Sequence, residues 1–436
     1  SMSSICIDGF NIALPKGSGI ATYGRNLLPN ARALGLGTQV LYGPPSTRSK
    51  SNTLNEALLA DADRPPAKQK RFERFKRTWM SRMGHDAHPI LPSGEVIWPS
   101  RGGGRPAADY FWAARDLFSV SHRAFQAYGT ETPVRFDATS DAPAPSVMHW
   151  TATLPLYAKA VPNVYTIHDL IPLRLPHTTL ENKDKYLDLC RKIAARADHI
   201  AVVSETTRQD VIRLLGVAED RVTNTYQAVD LPESLTSRSQ ADVTLELEGV
   251  FNLGWKGYFL HFGAIEPKKN LGRIVEAYLA SGVTTPLVIV GGRAWLDEPE
   301  TALLNQVKRD GGPMADRIRQ YEYMSFSMLI SLIRGAKATL FPSLYEGFGL
   351  PVLESMALST AVLTSTGGSL PEVAGDAALS VDPYDVQAMT RGLQALDADE
   401  DLRDDLVSRG LVQAAKFTPA AYQDRLRDLY SRVGVL

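Results

Sequence analysis

The residues best suited to chemistry fall in one stretch, Phe341-Pro342-Ser343-Leu344-Tyr345-Glu346-Gly347-Phe348-Gly349-Leu350-Pro351-Val352-Leu353-Glu354. An apolar strand-like run ends near Phe341, a glycine-containing loop follows, and Pro351 marks the first turn of a helix. Backbone N–H groups at a helix start have no partner within the helix and carry the positive end of its dipole, so they suit a phosphate. Glycine lets the backbone come close to a ligand. Glu346 precedes the helix and Glu354 lies about a turn inside it, so two carboxylates bracket a bound molecule at separate points. A carboxylate accepts hydrogen bonds from vicinal hydroxyls, which suits a hexose at one end and a ribose at the other. Taken alone, two glutamates at this spacing are more often a loop charge and a solvated helix residue. The surrounding loop and helix start are what favour the ligand reading.

The elements that must carry these groups are short β-branched runs, each followed by a helical stretch. In the first half they are Ser4 to Asp8, Thr38 to Tyr42, Asn163 to Ile167, His199 to Val203 and Arg221 to Tyr226. In the second they are Tyr258 to Phe262, Pro286 to Val290, Ala338 to Phe341 and Ala361 to Thr364. Such alternation predicts parallel sheets covered on both faces. Four sets of polar residues then follow strands: Gly17-Ser18-Gly19, His168-Asp169, Lys268-Lys269 and Glu346. Doubly wound sheets bind ligands outside the carboxyl ends of their strands, so these groups predict two α/β domains facing one cleft. The expected layout is a first domain over residues 1–235 with an insertion at 44–145, a linker at 236–247, and a second domain over 248–417. A helix over 418–436, with Thr418 as N-cap and Pro419 in its first turn, is expected to cross back to the first domain.

The Phe341 to Ala357 run, together with Gly263-Ala264-Ile265-Glu266-Pro267-Lys268-Lys269-Asn270-Leu271 and Gly367-Gly368-Ser369-Leu370-Pro371-Glu372-Val373-Ala374-Gly375, resembles the bacterial glycosyltransferases of family four. The resemblance continues at Gly17-Ser18-Gly19-Ile20 and Thr166-Ile167-His168-Asp169-Leu170-Ile171-Pro172, and covers nearly all of the chain outside the insertion. It implies the GT-B fold, two Rossmann-like doubly wound domains about a cleft, and retaining transfer of a hexose from a nucleotide-diphosphate sugar to a hydroxyl. The acceptor implied is a glycan or lipid-linked glycan in polysaccharide or O-antigen type synthesis. Carried over by position, the resemblance gives Glu346 the donor-sugar hydroxyls, Glu354 the ribose, and Lys269 the diphosphate. It gives Phe348, Gly349 and Leu350 a role through their backbone N–H groups. His168 would reach the sugar from the opposite domain, and Gly17, Ser18 and Gly19 would supply N–H groups near the leaving phosphate. Many members carry an arginine where this chain has Ala264, so the missing charge is expected from Lys268 or Arg293. Asp169 either orients the acceptor or holds its loop. No catalytic base is assigned, because the departing phosphate is expected to take the acceptor proton. The overall pattern looks most like mannosyl- and rhamnosyl-type transferases, which makes GDP-mannose the expected donor, with no other cofactor and no metal.

Composition bounds the remaining classes. The formal net charge is −1 over 436 residues, which gives no electrostatic case for nucleic acid. Cys6 and Cys190 both lie in apolar runs and read as buried thiols of a reducing compartment. No charged-then-apolar leader and no run near the ~20 residues of a spanning helix are evident, so a cytoplasmic location is expected. Asp61-Ala62-Asp63 and Asp397-Ala398-Asp399 have metal-like spacings but do not follow predicted strands and read as solvated acids, and His85-Asp86-Ala87-His88 lacks a partner set for a metal and reads as incidental. Between 68 and 83, basic residues interleave with Phe72, Phe75, Trp79 and Met83 at helical spacing. A helix packed on the first domain with its charges in water is the favoured reading there, and peripheral contact with an anionic membrane the rival. The rivals for the whole chain are another GT-B enzyme, an epimerase or a phosphorylase, and a non-catalytic nucleotide-sugar-binding subunit.

Overall fold

The computed structural model describes residues 2–12, 19–45, 50–61, 69–98, 104–171, 182–291, 298–322 and 324–436. Among them the first sheet takes β1 (Ser4–Asp8), β2 (Gly37–Tyr42), β3 (His85–Ile90), β4 (Tyr110–Ala113), β5 (Thr132–Phe136), β6 (Val147–Trp150), β7 (Leu156–Ala158), β8 (Asn163–Ile167), β9 (His199–Val202) and β10 (Val222–Asn224). Their spatial order is β10-β9-β8-β6-β1-β2-β4-β3-β5-β7. Only the β3–β4 pairing is antiparallel, so seven strands, β1, β2, β4, β6 and β8 to β10, end at the same edge. Ile5, Cys6, Ile7, Val164, Tyr165 and Ile167 are fully buried, as strands covered on both faces require.

The second sheet takes β11 (Phe259–Phe262), β12 (Leu287–Val290), β13 (Ile318–Tyr321), β14 (Ala338–Phe341), β15 (Ala361–Ser365) and β16 (Leu379–Val381). All five pairings are parallel, in the order β13-β12-β11-β14-β15-β16. The order reverses direction between β11 and β14, and the connections after those two strands leave a crevice there, the place where such sheets bind ligands.

Three expectations need correction. Residues 44–145 are not an elaboration set apart from the first sheet, because β4 pairs directly with β2, and β3 and β5 extend the same edge. Their short polar strands, with Pro89 and Pro133 inside them, hid the pattern. The stretch 236–247 holds most of a helix, Gln240–Phe251, capped by Ser239 and buried through Val243, Leu247 and Phe251 against the helix Phe326–Gly335. Its apolar residues recur at four-residue spacing, a period masked by the charges between them. The helix Arg71–Met80 does sit on the first domain, but it turns a polar side inward and leaves Phe72, Phe75 and Trp79 in water.

The helix Pro419–Arg432 starts with Thr418 accepting from the Ala421 N–H and lies against the helix Gly19–Ala33 of the first domain. Tyr422, Leu426, Leu429 and Tyr430 are buried. Gln423 Nε2 donates to Asn30 Oδ1 at 2.9 Å. Beneath this contact, His149 Nδ1 lies 2.8 Å from the Tyr430 hydroxyl, and its Nε2 lies 2.7 Å from Thr166 Oγ1. The chain end therefore binds the first domain by apolar packing and by a satisfied buried polar network. Leu426→Ala should cost about 2–5 kcal/mol of stability, the usual cost of such a truncation in a filled core. Denaturant unfolding measures it, and a loss below about 1 kcal/mol would mean that this helix contributes little.

Candidate active site

The crevice of the second sheet is lined by the two loops that follow β11 and β14. After β11, Gly263 adopts φ 132° and Pro267–Lys269 form a single 3-10 turn, which brings Lys269 toward the β14 loop. The Leu344 N–H donates to the Lys268 carbonyl at 2.8 Å, tying the two loops together. Lys269 Nζ meets Glu346 Oε1 at 2.6 Å, with side chains 19 % and 13 % exposed. Ser343 Oγ donates to the same carboxylate oxygen at 3.1 Å. Burial works to raise the Glu346 carboxyl, but the two lysines, Lys269 foremost, outweigh it and hold the group below the usual carboxylate range. Burial likewise works to lower Lys268, and the carboxylates of Glu346, Asp169 and Glu266 override it and push it up. Lys268 and Glu346 are thus kept charged in a poorly solvated cleft.

The helix Leu350–Ala357 opens next to this pair. Gly349 is its N-cap at φ 108°, ψ 45°, a conformation that L side chains resist. The N–H groups of Gly349 and Leu350 stand where the helix itself offers no acceptor. Gly347 is required for a different reason, because a Cβ there would collide with the carbonyl of His168 in the other domain. Glu354 is half-buried on this helix, and burial alone pushes its carboxyl up to about 7. The Phe348 ring packs with Tyr226 and Phe417, so what this residue can offer a ligand is its backbone.

Across the cleft, the first sheet contributes groups from its own switch point between β1 and β6. Asp8 ends β1 and accepts from the Thr151 N–H at 2.5 Å and the Thr151 hydroxyl at 2.9 Å. His168, just past β8, makes a 2.8 Å hydrogen bond through Nε2 to the Thr151 carbonyl, which requires the proton on Nε2 and leaves the Nδ1 lone pair available. Burial lowers the His168 pKa, and nearby Lys268 adds to that, so the ring is neutral. Asp169 accepts from the Ile171 N–H at 3.1 Å, which holds its loop, and also faces the charge of Lys268. Gly19 opens the helix Gly19–Ala33. Gly17, Ser18 and Arg293 lie outside the described residues.

Lys268, Lys269, Glu346 and the helix start carrying Glu354 therefore come together on one side, with His168 and Asp169 on the other. Asp397 is engaged by Lys337 at 3.0 Å, and Asp399 caps the helix Glu400–Ala414. His88 lies 3.1 Å from Asp137.

Sequence reasoning missed the groups that join the domains. Glu372 accepts from the Glu205 and Thr206 N–H groups at 3.0 and 2.8 Å, the first two N–H groups of the helix Glu205–Leu215. The same carboxylate accepts from the Thr206 hydroxyl at 2.8 Å and the Tyr226 hydroxyl at 2.9 Å. A side chain of the second domain thus completes a helix start of the first. Tyr345 places its hydroxyl 2.9 Å from Asp210, and Ser369 Oγ lies 2.8 Å from Ser204 Oγ. The available signal was that Glu372 and Ser204-Glu205 each follow a strand on a facing edge, although nothing in their spacing pairs them.

Comparison with known proteins decides the family. Residues 78–233 match the model described as Glycosyltransferase Family 4, and residues 252–412 match Glycosyl transferases group 1. The chain is 33 % identical over 260 residues to the O-antigen chain mannosyltransferase B of Escherichia coli, an alignment covering 58 % of this chain and 66 % of that protein. The chain belongs to glycosyltransferase family four. It is also 31 % identical over 283 residues to the serotype-specific mannosyltransferase WbdA of E. coli, covering 62 % of this chain but only 33 % of WbdA. Among solved structures, sucrose-phosphate synthase from Thermosynechococcus elongatus aligns with a TM-score of 0.69 at 18 % identity over 99 % of both chains. Anabaena HepE in complex with UDP and glucose aligns with a TM-score of 0.64 at 14 % identity, over 99 % of this chain and all of HepE. At such identities the likeness establishes the fold, which is GT-B. No helix among the described residues is long and apolar enough to cross a membrane.

The interdomain cap of this family member is testable directly. Glu372→Ala leaves two helix N–H groups and the Tyr226 hydroxyl without their acceptor, and should lower stability by about 1–3 kcal/mol. It should also raise the radius of gyration seen by small-angle scattering as the domains part. A variant with unchanged melting and unchanged scattering would show that the cap does not hold the cleft closed.

Proposed function

We propose that the chain is a retaining mannosyltransferase that uses GDP-mannose and extends a glycan or lipid-linked glycan of the O-antigen type. The observation that carries the transferase reading is the charged Lys269–Glu346 pair beside the start of the helix Leu350–Ala357. The mannosyl reading is supported by the printed activities of the E. coli relatives, and the chain spans about two-thirds of one and one-third of the other.

In this reading the pyrophosphate rests on the Gly349 and Leu350 N–H groups, and Lys269, helped by Lys268, neutralises it. Breaking the sugar–phosphate bond builds negative charge on the phosphate, where fixed donors act without reorganisation. Glu346, kept ionised by its lysines, accepts from sugar hydroxyls, and Glu354 accepts from the ribose. Neutral His168 approaches the sugar from the other domain, its ring fixed through Thr151 and Asp8. Asp169 serves the acceptor side by holding its loop. The acceptor hydroxyl attacks on the face the phosphate leaves, and the departing phosphate oxygen takes its proton, so no separate protein base and no metal are required.

A thermal-shift panel of GDP-, UDP- and dTDP-sugars reads the donor, because a ligand that prefers the folded state raises the melting temperature by an amount that grows with its affinity. GDP-mannose should give the largest shift. Lys269→Ala and Glu346→Ala should remain folded yet lose roughly 10²–10³-fold in transfer rate, the size of effect seen when one stabilising group is removed. Full activity in either variant would move the site elsewhere. Analysis of the product's anomeric configuration tests retention, and a nucleotide sugar altered without acceptor would favour an epimerase.

Glu354 adds a pH dependence of known sign. Its carboxyl is raised to about 7, so below that pH it is largely neutral and above it charged. The charged form is the better acceptor for two ribose hydroxyls, so nucleotide affinity should rise between about pH 6 and 8. Titrating GDP binding by calorimetry across that window measures it, with Glu354→Gln expected to flatten the rise. A wild-type affinity that falls with pH would reverse the assignment.

A further inference from the structure

The helix Arg71–Met80 has its apolar stripe on the wrong side for a packed helix. Phe72, Phe75, Trp79 and Met83 follow one another at helical spacing and are 75 %, 61 %, 50 % and 66 % exposed. The side it turns to the domain is polar: Arg77 Nη1 pairs with Asp116 at 2.7 Å, Thr78 is buried and accepts from Arg123, and Ser81 is buried just beyond. Three large side chains in line on a helix face are not scattered surface hydrophobics, and water is a poor partner for them. Trp79 is half exposed with its edge on Tyr128 and the Arg82 guanidinium 3.6 Å over its ring, an apolar body with a cation riding on it. Residues 70–83 carry six basic side chains, Lys70, Arg71, Arg74, Lys76, Arg77 and Arg82, against the single acid Glu73. Only Arg77 has its charge spent inside the domain, while Arg71, Arg74 and Lys76 are exposed, Arg71 and Lys76 beside the stripe. In a chain of net charge −1 this positive strip is local, and it sits where the apolar side chains point.

We propose that this helix lies in the surface of an anionic lipid bilayer, with Phe72, Phe75 and Trp79 entering the headgroup boundary and the flanking Arg and Lys side chains holding lipid phosphates. Apolar insertion alone favours any bilayer, whereas the basic flank selects a negatively charged one and is screened by salt. A second protein copy fits less well, because two such strips facing each other would oppose positive charge to positive charge. The helix also lies near the carboxyl edge of the first sheet, since Gln69 and Arg77 both reach Asp116, three residues past the end of β4. This surface is independent of the donor reading above, because none of its residues belongs to the Lys269–Glu346 site.

The test is flotation of the full chain with vesicles of phosphatidylcholine alone or mixed with phosphatidylglycerol. The protein should float with the mixed vesicles at low salt, come off as salt is raised, and stay behind with the neutral ones. Phe72→Glu combined with Phe75→Glu should reduce binding by roughly tenfold or more while leaving the melting curve unchanged, because both side chains stand in water. Arg71→Glu combined with Lys76→Glu should weaken binding to the mixed vesicles and reduce its salt dependence, which gives a second readout should the first variant unfold. Nucleotide-sugar binding in solution should be unaltered in both variants. Absence of binding to the mixed vesicles, equal binding to neutral ones, or full binding by the Phe72/Phe75 variant would overturn the proposal. So would self-association in sedimentation that this variant abolishes, since a second copy would then be what covers the stripe.

Discussion

Lys269 and Glu346 are two opposite charges held out of water at 2.6 Å, and much of the molecule exists to keep them there. Burial works against the charge on Glu346, and the neighbouring lysines override it. The pair is possible because β11 and β14 are neighbours whose connections diverge, so one loop brings the lysines and the other brings the glutamate. The Leu344 N–H to Lys268 carbonyl bond then fixes the spacing of the two loops. A buried ion pair is a poor source of stability, because desolvation offsets most of the attraction. In the proposed transfer its worth lies in exchanging partners, a donor pyrophosphate taking the lysines as sugar hydroxyls satisfy the carboxylate.

The same logic governs the way the domains meet. Facing carboxyl edges of two parallel sheets present helix starts to each other, and helix starts are rich in unpaired N–H groups. Glu372 satisfies two of them from across the cleft, and the Gly347 backbone touches the His168 carbonyl because no side chain intervenes. These two contacts are polar, unlike the apolar packing of Leu426 and Leu429 that fastens the chain's last helix to the first domain. Polar contacts between domains can break and be replaced by water at modest cost, which suits a cleft that must admit a ligand and release it.

Much of this arrangement was legible in the residues. Strands with near-continuous β-branched and apolar runs, such as Asn163–Ile167 and Ala338–Phe341, were placed to the residue, because burial on both faces demands that composition. The motif around Glu346 carries its own geometry in Gly349 and Pro351, so a strand, a loop and a helix start could be read in order. What escaped were elements whose pattern is set by tertiary neighbours. The strand Tyr110–Ala113 has four residues and no period to speak of, and only its pairing with Gly37–Tyr42 makes it a strand. Asp8 reads as the polar end of a strand, and nothing in its sequence surroundings names Thr151 as the group it will hold 143 residues away. Glu372 stands in a motif that names no role for it, for the same reason.

His168 shows how the structural and the chemical readings of one residue can both hold. Its Nε2 is committed to the Thr151 carbonyl, as a core histidine's would be, and that commitment decides everything else about the ring. Because Nε2 donates, Nδ1 is left as an acceptor, and because burial and Lys268 both disfavour the cation, the ring stays neutral. A cationic ring would add a third positive charge close to Lys268 and Lys269, compete with them for Glu346 and Asp169, and loosen the balance that keeps the cleft populated by ions of both signs. The hydrogen bond to the Thr151 carbonyl, on a residue held in turn by Asp8, fixes which nitrogen carries the proton. By itself that bond favours the cation, and it is burial, with Lys268, that lets a polar group sit opposite two lysines without joining their charge.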